Sequence, residues 1–238
     1  MKSSTKSIEV SIEEMGALAG YTVQCLVQVS PEQIAYWLSH KKEYKEHLLV
    51  SFAIADEYFE ERQQFSKFYK KHLNWDVDFS KVAIPLKPSE GLWVLLFIAK
   101  GLTPNKMYDA WSFSKWRYTS DLDASVPTNT RTAGESYAIW VLDSIEPDKE
   151  FLGKPVTVAD PNMDIGMTLL ERMVFGQWYF DQTGKHLDAK GATKCSASRS
   201  VDGSVPRVLW DSDYEEVFVF WYSVDSLSPR YGVRLVVS

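Results

Sequence analysis

Two side chains able to do nucleophilic chemistry stand nine residues apart in "TGKHLDAKGATKCSASRS", residues 183–200: His186 and Cys195. A cysteine attacks only as the thiolate, and a base within hydrogen-bond reach must hold it in that form. His186 is the candidate base, with Asp188 as the group that would orient it, and the chemistry would be that of a cysteine-dependent hydrolase or transferase. The surrounding pattern offers a simpler reading. Gly184 ends a helix just before His186, which makes the imidazole a cation at a helix C-terminus. Cys195 falls in a strand pattern beside Thr193 and Ala197, where cysteine packs as a small apolar side chain. No glycine-rich elbow precedes it, and no helix start follows it to lower its pKa.

A second cluster is "KWRYTSDLD", residues 115–123. Lys115, Trp116, Arg117 and Tyr118 combine cations with rings, the pairing that stacks bases and contacts phosphate in a nucleic-acid accessory factor. Asp121 and Asp123 oppose that use, and an ion pair between Arg117 and one of them is the plainer expectation.

"DSDYEE", residues 211–216, spaces Asp211, Asp213 and Glu215 like the first ligands of a calcium loop. The sixth position holds Glu216 rather than glycine and the twelfth holds Tyr222, so a polar hairpin turn is expected instead. His40, His47, His72 and His186 form no pair at metal spacing. No phosphate-cradling glycine loop and no Gly-x-Ser-x-Gly elbow is present. These residues imply neither a metal nor a cofactor.

Rings are the compositional outlier: nine tryptophans, twelve tyrosines and twelve phenylalanines in 238 residues. Either they fill a core or some of them form a stacking surface. The run "VFVFWYS", residues 217–223, would set Phe218, Phe220 and Tyr222 on one face of a strand and Val217, Val219 and Trp221 on the other. If a helix covers one face, the other needs cover as well. Trp210, Trp221 and Tyr222, with Trp116, Arg117 and Tyr118, are therefore the candidate binding residues.

The elements that must position these groups read as α+β. Alternation over residues 21–29 suggests a strand. Ser30 and Pro31 open a helix carrying Ile34, Trp37, Leu38 and Tyr44, and a second helical pattern runs from about Leu48 to Leu73. Prolines at 85 and 88 break it. "LWVLLFIA", residues 92–99, is a short buried strand. Thr103 and Pro104 start another helix. Residues 127–136 are turn-rich, and "YAIWVLDSI" is a strand. Residues 146–166 form a long connection with the look of a functional loop. Thr168 and Glu171 make a capping box for a helix stopped by Gly184. Four strand patterns follow, "ATKCSAS", "VPRVLW", "EVFVFWYS" and "GVRLVVS", and they imply an antiparallel sheet with one helix packed on a face. The expected organisation is a helix-rich N-terminal lobe over residues 1–80 and an α+β domain over 81–238, or one continuous domain.

The span 91–238 resembles a group of uncharacterised bacterial proteins, through "KWRYTSDLD", "YAIWVLD", "MTLLERM", "TGKHLD", "VPRVLWDSD" and "RLVVS". That resemblance implies the strand–helix–sheet order but no activity. The order is also similar, loosely, to a C-type-lectin-like layout. The disulfide cysteines and the calcium motif of that layout are absent, so no residue inherits a role.

A formal charge of −6 opposes bulk nucleic-acid binding. The longest apolar run is far short of the ~20 residues a membrane helix needs, and two cysteines favour a reducing cytoplasm. No constellation satisfies the demands of catalysis. The sequence points to a non-enzymatic binding or interaction module, whose partner is a protein, a small ligand or a second copy of itself.

Overall fold

The computed structural model describes residues 30–42 and 57–238. The chain divides into two units, Met1–Glu57 and Tyr58–Ser238. In the first, helix α1 spans Pro31–Ser39, with proline at its first position where the missing N–H costs nothing. The strand expected over residues 21–29, the helical stretch 48–56, and the side chains of Ile34, Trp37 and Tyr44 lie outside the described residues.

The second unit begins with helix α2, Phe59–Leu73, closed by Asn74 in the left-handed region. It is built into the core of that unit: Phe65, Phe68 and Tyr69 are buried, Phe65 packs on Phe97, and the Tyr69 hydroxyl donates to the Phe97 carbonyl at 2.9 Å. Large apolar rings on one face bind the helix to the strand beneath it. Helix α2 thus belongs to the second compact unit.

Next come β1 (Trp93–Ile98), α3 (Pro104–Ala110), β2 (Lys115–Arg117), α4 (Leu122–Ser125), β3 (Thr128–Asn129) and β4 (Tyr137–Leu142). A 3-10 turn at Lys149–Phe151 and α5 (Val156–Ala159) interrupt the long connection. Helix α6 (Leu169–Thr183) precedes β5 (Ala192–Lys194), β6 (Ser198–Arg199), β7 (Val205–Asp211), β8 (Glu216–Tyr222), β9 (Tyr231–Val233) and β10 (Val236–Val237). The class is α+β. Among the described residues no helix is long and apolar enough to cross a membrane.

The strands form three sheets: β1–β4–β10, β2–β8–β7–β5–β9 and β3–β6. The first and last are antiparallel. The five-stranded sheet is mixed, because β2 runs parallel to β8 and β9 parallel to β5. The antiparallel sheet expected for the C-terminal part is present in β5, β7 and β8, and two parallel strands extend it; β2 enters from upstream of α6, a partner that strand patterns alone do not announce.

Helix α6 starts as expected. Thr168 Oγ1 accepts from the Glu171 N–H, Glu171 accepts from the Thr168 N–H, and Gly184 closes the helix in the left-handed region. It contacts both β1 and β7, so it lies between the two larger sheets and is buried nearly all round, including Glu171, Arg172 and Gln177.

Two expected strands break where the chain changes sheet. "ATKCSAS" divides into β5 and β6, with Cys195 at the corner between them: the Ala197 N–H donates to Met167 and Ser196 Oγ donates to Asp160, which pulls the chain off β7. "GVRLVVS" divides into β9 in one sheet and β10 in another, with Arg234 at the crossing.

The 146–166 connection lies on the outer face of the five-stranded sheet. Val156 and Ala159 pack with Val205 and Val233 in a small second core, alongside Phe151 and Val224. Its backbone is tied down through Asp148 N–H to Val233 O and Gly153 N–H to Tyr231 O. This expected functional loop serves as cover for half a sheet face.

Candidate functional site

Strand periodicity divides the basic-aromatic cluster. In β2, Lys115 and Arg117 point one way and Trp116 the other, since side chains alternate across a strand. The cations are consumed inside the fold. Lys115 Nζ donates to the carbonyls of Tyr108 and Trp111, and Arg117 lies over the Tyr108 ring and donates to Asn105 at 3.1 Å. Burial, against the pull of Asp109, lowers the Lys115 pKa. Arg117 thus meets an amide and a ring rather than the expected aspartate.

Trp116 pairs in register with Phe218 on β8, and their rings meet at 5.3 Å. Along β8, Val217 and Val219 are buried in the main core, whereas Phe218 and Phe220 are half-buried and Tyr222 is 56% exposed. The alternation read from the sequence holds, and it leaves Trp116, Phe218, Phe220 and Tyr222 together on the outer face. Tyr214, in the β7–β8 turn, leans on Phe218 at 5.7 Å. Tyr118 packs edge-on against Trp221 and is 67% exposed, and Trp116 is 41% exposed. The turn itself is the polar hairpin expected: Asp211 Oδ1 accepts from the Asp213 N–H at 2.9 Å. The structure therefore joins Trp116, Tyr118 and Trp221 with Phe218 in one chain of ring contacts, while Tyr222 pairs separately with Phe220.

Trp210 does not join them. It is the register partner of Val217 and lies flat against His186, with Phe180 on the far side of the same imidazole. Burial, and then the charge of Arg172, lower the His186 pKa to about 4. His186 is neutral at pH 7, which corrects its reading as a helix-terminal cation.

Cys195 is fully buried, and burial pushes its thiol pKa up. Among the described residues no hydrogen bond joins its sulfur to the His186 ring, which is enclosed by rings instead. Asp188 is also fully buried. Arg172 Nη2 donates to Asp188 Oδ2 at 2.8 Å, Thr193 Oγ1 donates to the same oxygen, and Arg234 binds Oδ1. Burial alone would raise the carboxyl pKa, but the two guanidiniums hold it below the usual carboxylate range. These residues tie α6 to the strand crossing at Arg234.

Sequence reasoning missed Arg207 and Lys194. They are register partners on the outer face, between β7 and β5. Arg207 is 2% exposed, and its guanidinium carbon lies 5.0 Å from the Tyr222 ring centre and 5.3 Å from that of Tyr231. Among the described residues no carboxylate stands within ion-pair distance of either cation. The signal was present as a lone arginine inside the apolar strand "VPRVLW", where a charge has to be accounted for.

No family model, curated protein or solved structure matches this chain. Nothing in those comparisons bears on the resemblance drawn over residues 91–238.

Two cavities lie away from the aromatic face. One, of about 760 Å³, is lined by Ile84, Pro85, Arg131, Tyr137 and Val237. Two of its polar groups are already engaged, since Arg131 Nε and the Tyr137 hydroxyl both donate to Glu171 Oε1. The other, of about 200 Å³, shares Arg131 and Thr132 with it. Among the described residues no group of three or more His, Cys, Asp or Glu side chains could hold a metal.

Proposed function

We propose that this chain is a non-enzymatic binding module whose ligand or partner rests on the outer aromatic face of the five-stranded sheet. The observation that supports it is the row Trp116, Phe218, Phe220 and Tyr222 on one sheet face, in contact as the pairs Trp116–Phe218 and Phe220–Tyr222, with Trp116 and Tyr222 exposed. Large rings left accessible as a group mark a recognition surface more often than a structural one. Each ring offers contact area at low entropic cost, because only two side-chain torsions have to be fixed.

The enclosed thiol of Cys195 counts against a nucleophilic enzyme at that residue. The inward use of Lys115 and Arg117 counts against a phosphate-binding surface.

The reading is tested by titrating the full chain with phenol, a neutral ring able to stack, while following the indole N–H resonances. Trp116 should shift well before buried Trp111 and Trp140, and Trp116→Phe should remove an acrylamide-accessible part of the emission. Equal, small shifts for every indole, with quenching unchanged in Trp116→Phe, would end this reading.

A further inference from the structure

Arg207 and Lys194 are two buried cations side by side, and among the described residues no carboxylate pairs with either. Lys194 Nζ donates to the carbonyls of Lys154 at 2.6 Å and Ser226 at 3.3 Å, which orient the ammonium without cancelling its charge. Burial, and then the neighbouring Arg207, lower its pKa to about 8. Arg207 is in a harder position. Its Nε is enclosed and has no hydrogen-bond partner among the described residues. Its two terminal nitrogens also lack a protein partner among the described residues and keep only a trace of exposure beside the Tyr222 and Tyr231 rings, the residue as a whole being 2% exposed.

Magnitudes show that this arrangement is incomplete. Taking a guanidinium out of water costs several kcal/mol after relaxation. A cation over a ring returns only part of that cost, and two rings leave the five N–H donors unmet. An acceptor that meets those donors in pairs and carries negative charge supplies what the fold withholds.

We infer that Arg207, flanked by Tyr222 and Tyr231 and backed by Lys194, is a binding site for a carboxylate group. The guanidinium is planar, and it lies over the Tyr222 ring of β8 and the Tyr231 ring of β9. A flat carboxylate continuing its plane meets the fork with two parallel hydrogen bonds. A tetrahedral phosphate cannot keep all its oxygens in that plane. Tyr222 belongs both to this recess and to the aromatic row, and its exposure makes it the wall able to turn aside for entry. The inference rests on the aromatic face being a binding surface, and it adds the chemistry of the ligand: an acid group anchored at Arg207, with its apolar body lying toward Phe220 and Tyr222.

The test uses benzoate as the probe, with benzamide as its neutral match and inorganic phosphate as a non-planar anion. The readouts on the full chain are the Arg207 Nε–H resonance and the melting temperature. Benzoate should shift that resonance and raise Tm, benzamide should do neither, and phosphate should act far more weakly. Arg207→Lys keeps the charge and loses the fork, so benzoate affinity should fall roughly tenfold or more. If that variant does not fold, Tyr222→Ala, at a surface position, should weaken benzoate several-fold with little change in Tm. A resonance unmoved by millimolar benzoate, phosphate as effective as benzoate, or unchanged benzoate affinity in the variants would overturn the site. If phenol still moves Trp116 while benzoate leaves Arg207 untouched, the anion site falls and the aromatic-face reading stands.

Discussion

The imidazole of His186 lies flat on the indole of Trp210, ring centres 3.7 Å apart and planes 6° from parallel. Phe180 stacks on the same ring at 4.7 Å, and Phe113 meets it edge-on at 4.8 Å. The ring works as an apolar plate, and protonation would place a cation among neighbours that offer no hydrogen-bond acceptor.

That enclosure sets a pH dependence. Its folded pKa of about 4 lies below the ordinary 6.5. The unfolded chain therefore binds the proton more readily between those values, and stability present above pH 6.5 is lost as pH falls toward 4. The ring is only partly enclosed, so solvent screening limits this to on the order of 1 kcal/mol. Urea unfolding at pH 7 and pH 5 should reveal it, and His186→Phe, which keeps the stack, should flatten the difference.

Asp188 holds Arg172 and Arg234 together in a fully buried cluster. Asp188→Asn leaves two guanidiniums facing an amide, and removing one partner of a buried ion pair costs about 3–5 kcal/mol. Denaturant unfolding should show that loss. A change below about 1 kcal/mol would mean that the cluster is hydrated rather than buried.

Cys195 should be inert in the folded protein. In a Cys25→Ser background, iodoacetamide near pH 8 should label it only at the rate at which the chain opens, and at once in concentrated denaturant. Labelling of the native state at the rate of an exposed thiol would contradict its burial.

Two tryptophans should separate core from surface. Trp140 is buried, and its indole N–H donates to the Pro85 carbonyl at 2.9 Å, whereas Trp116 lies on the open face. Trp140→Ala should cost about 3–5 kcal/mol, as for other large-to-small core changes. Trp116→Ala should cost about 1 kcal/mol or less, because less area leaves contact.

Gly166 allows the 146–166 connection to close. A Cβ there would lie 1.7 Å from Ser196 Oγ and 2.9 Å from Asp160 Oδ2, two atoms that hydrogen-bond each other. Gly166→Ala should destabilise by about 2 kcal/mol or more through overpacking and the broken bond. Adding Ser196→Ala should recover part of that loss in the double variant, and no recovery would place the clash elsewhere.

Local patterns were enough to read several elements from the letters. The Thr168–Glu171 box, the Gly184 stop, the Thr103–Pro104 helix start, the β1 run and the alternation along β8 all depend on neighbours within a turn or a pleat, and each is where the pattern placed it. The Asp211 hairpin belongs with them, since an aspartate binding the N–H two residues on is a local event. The candidate site was half legible for the same reason: period two along residues 217–223 already sets Phe218, Phe220 and Tyr222 on one face, while no local pattern marks residues 115–117 as a strand.

Long-range packing settled the rest. That β2 lies parallel beside β8, that the 146–166 connection packs on Val205 and Val233, and that Arg207 lies by both Tyr222 and Tyr231 all join residues far apart in the chain. His186 carried the same letter in either case, and enclosure by Phe113, Phe180 and Trp210 made it a neutral plate instead of a cation. Charge state and exposure depend on what surrounds a group in space, and adjacency along the chain does not encode those surroundings.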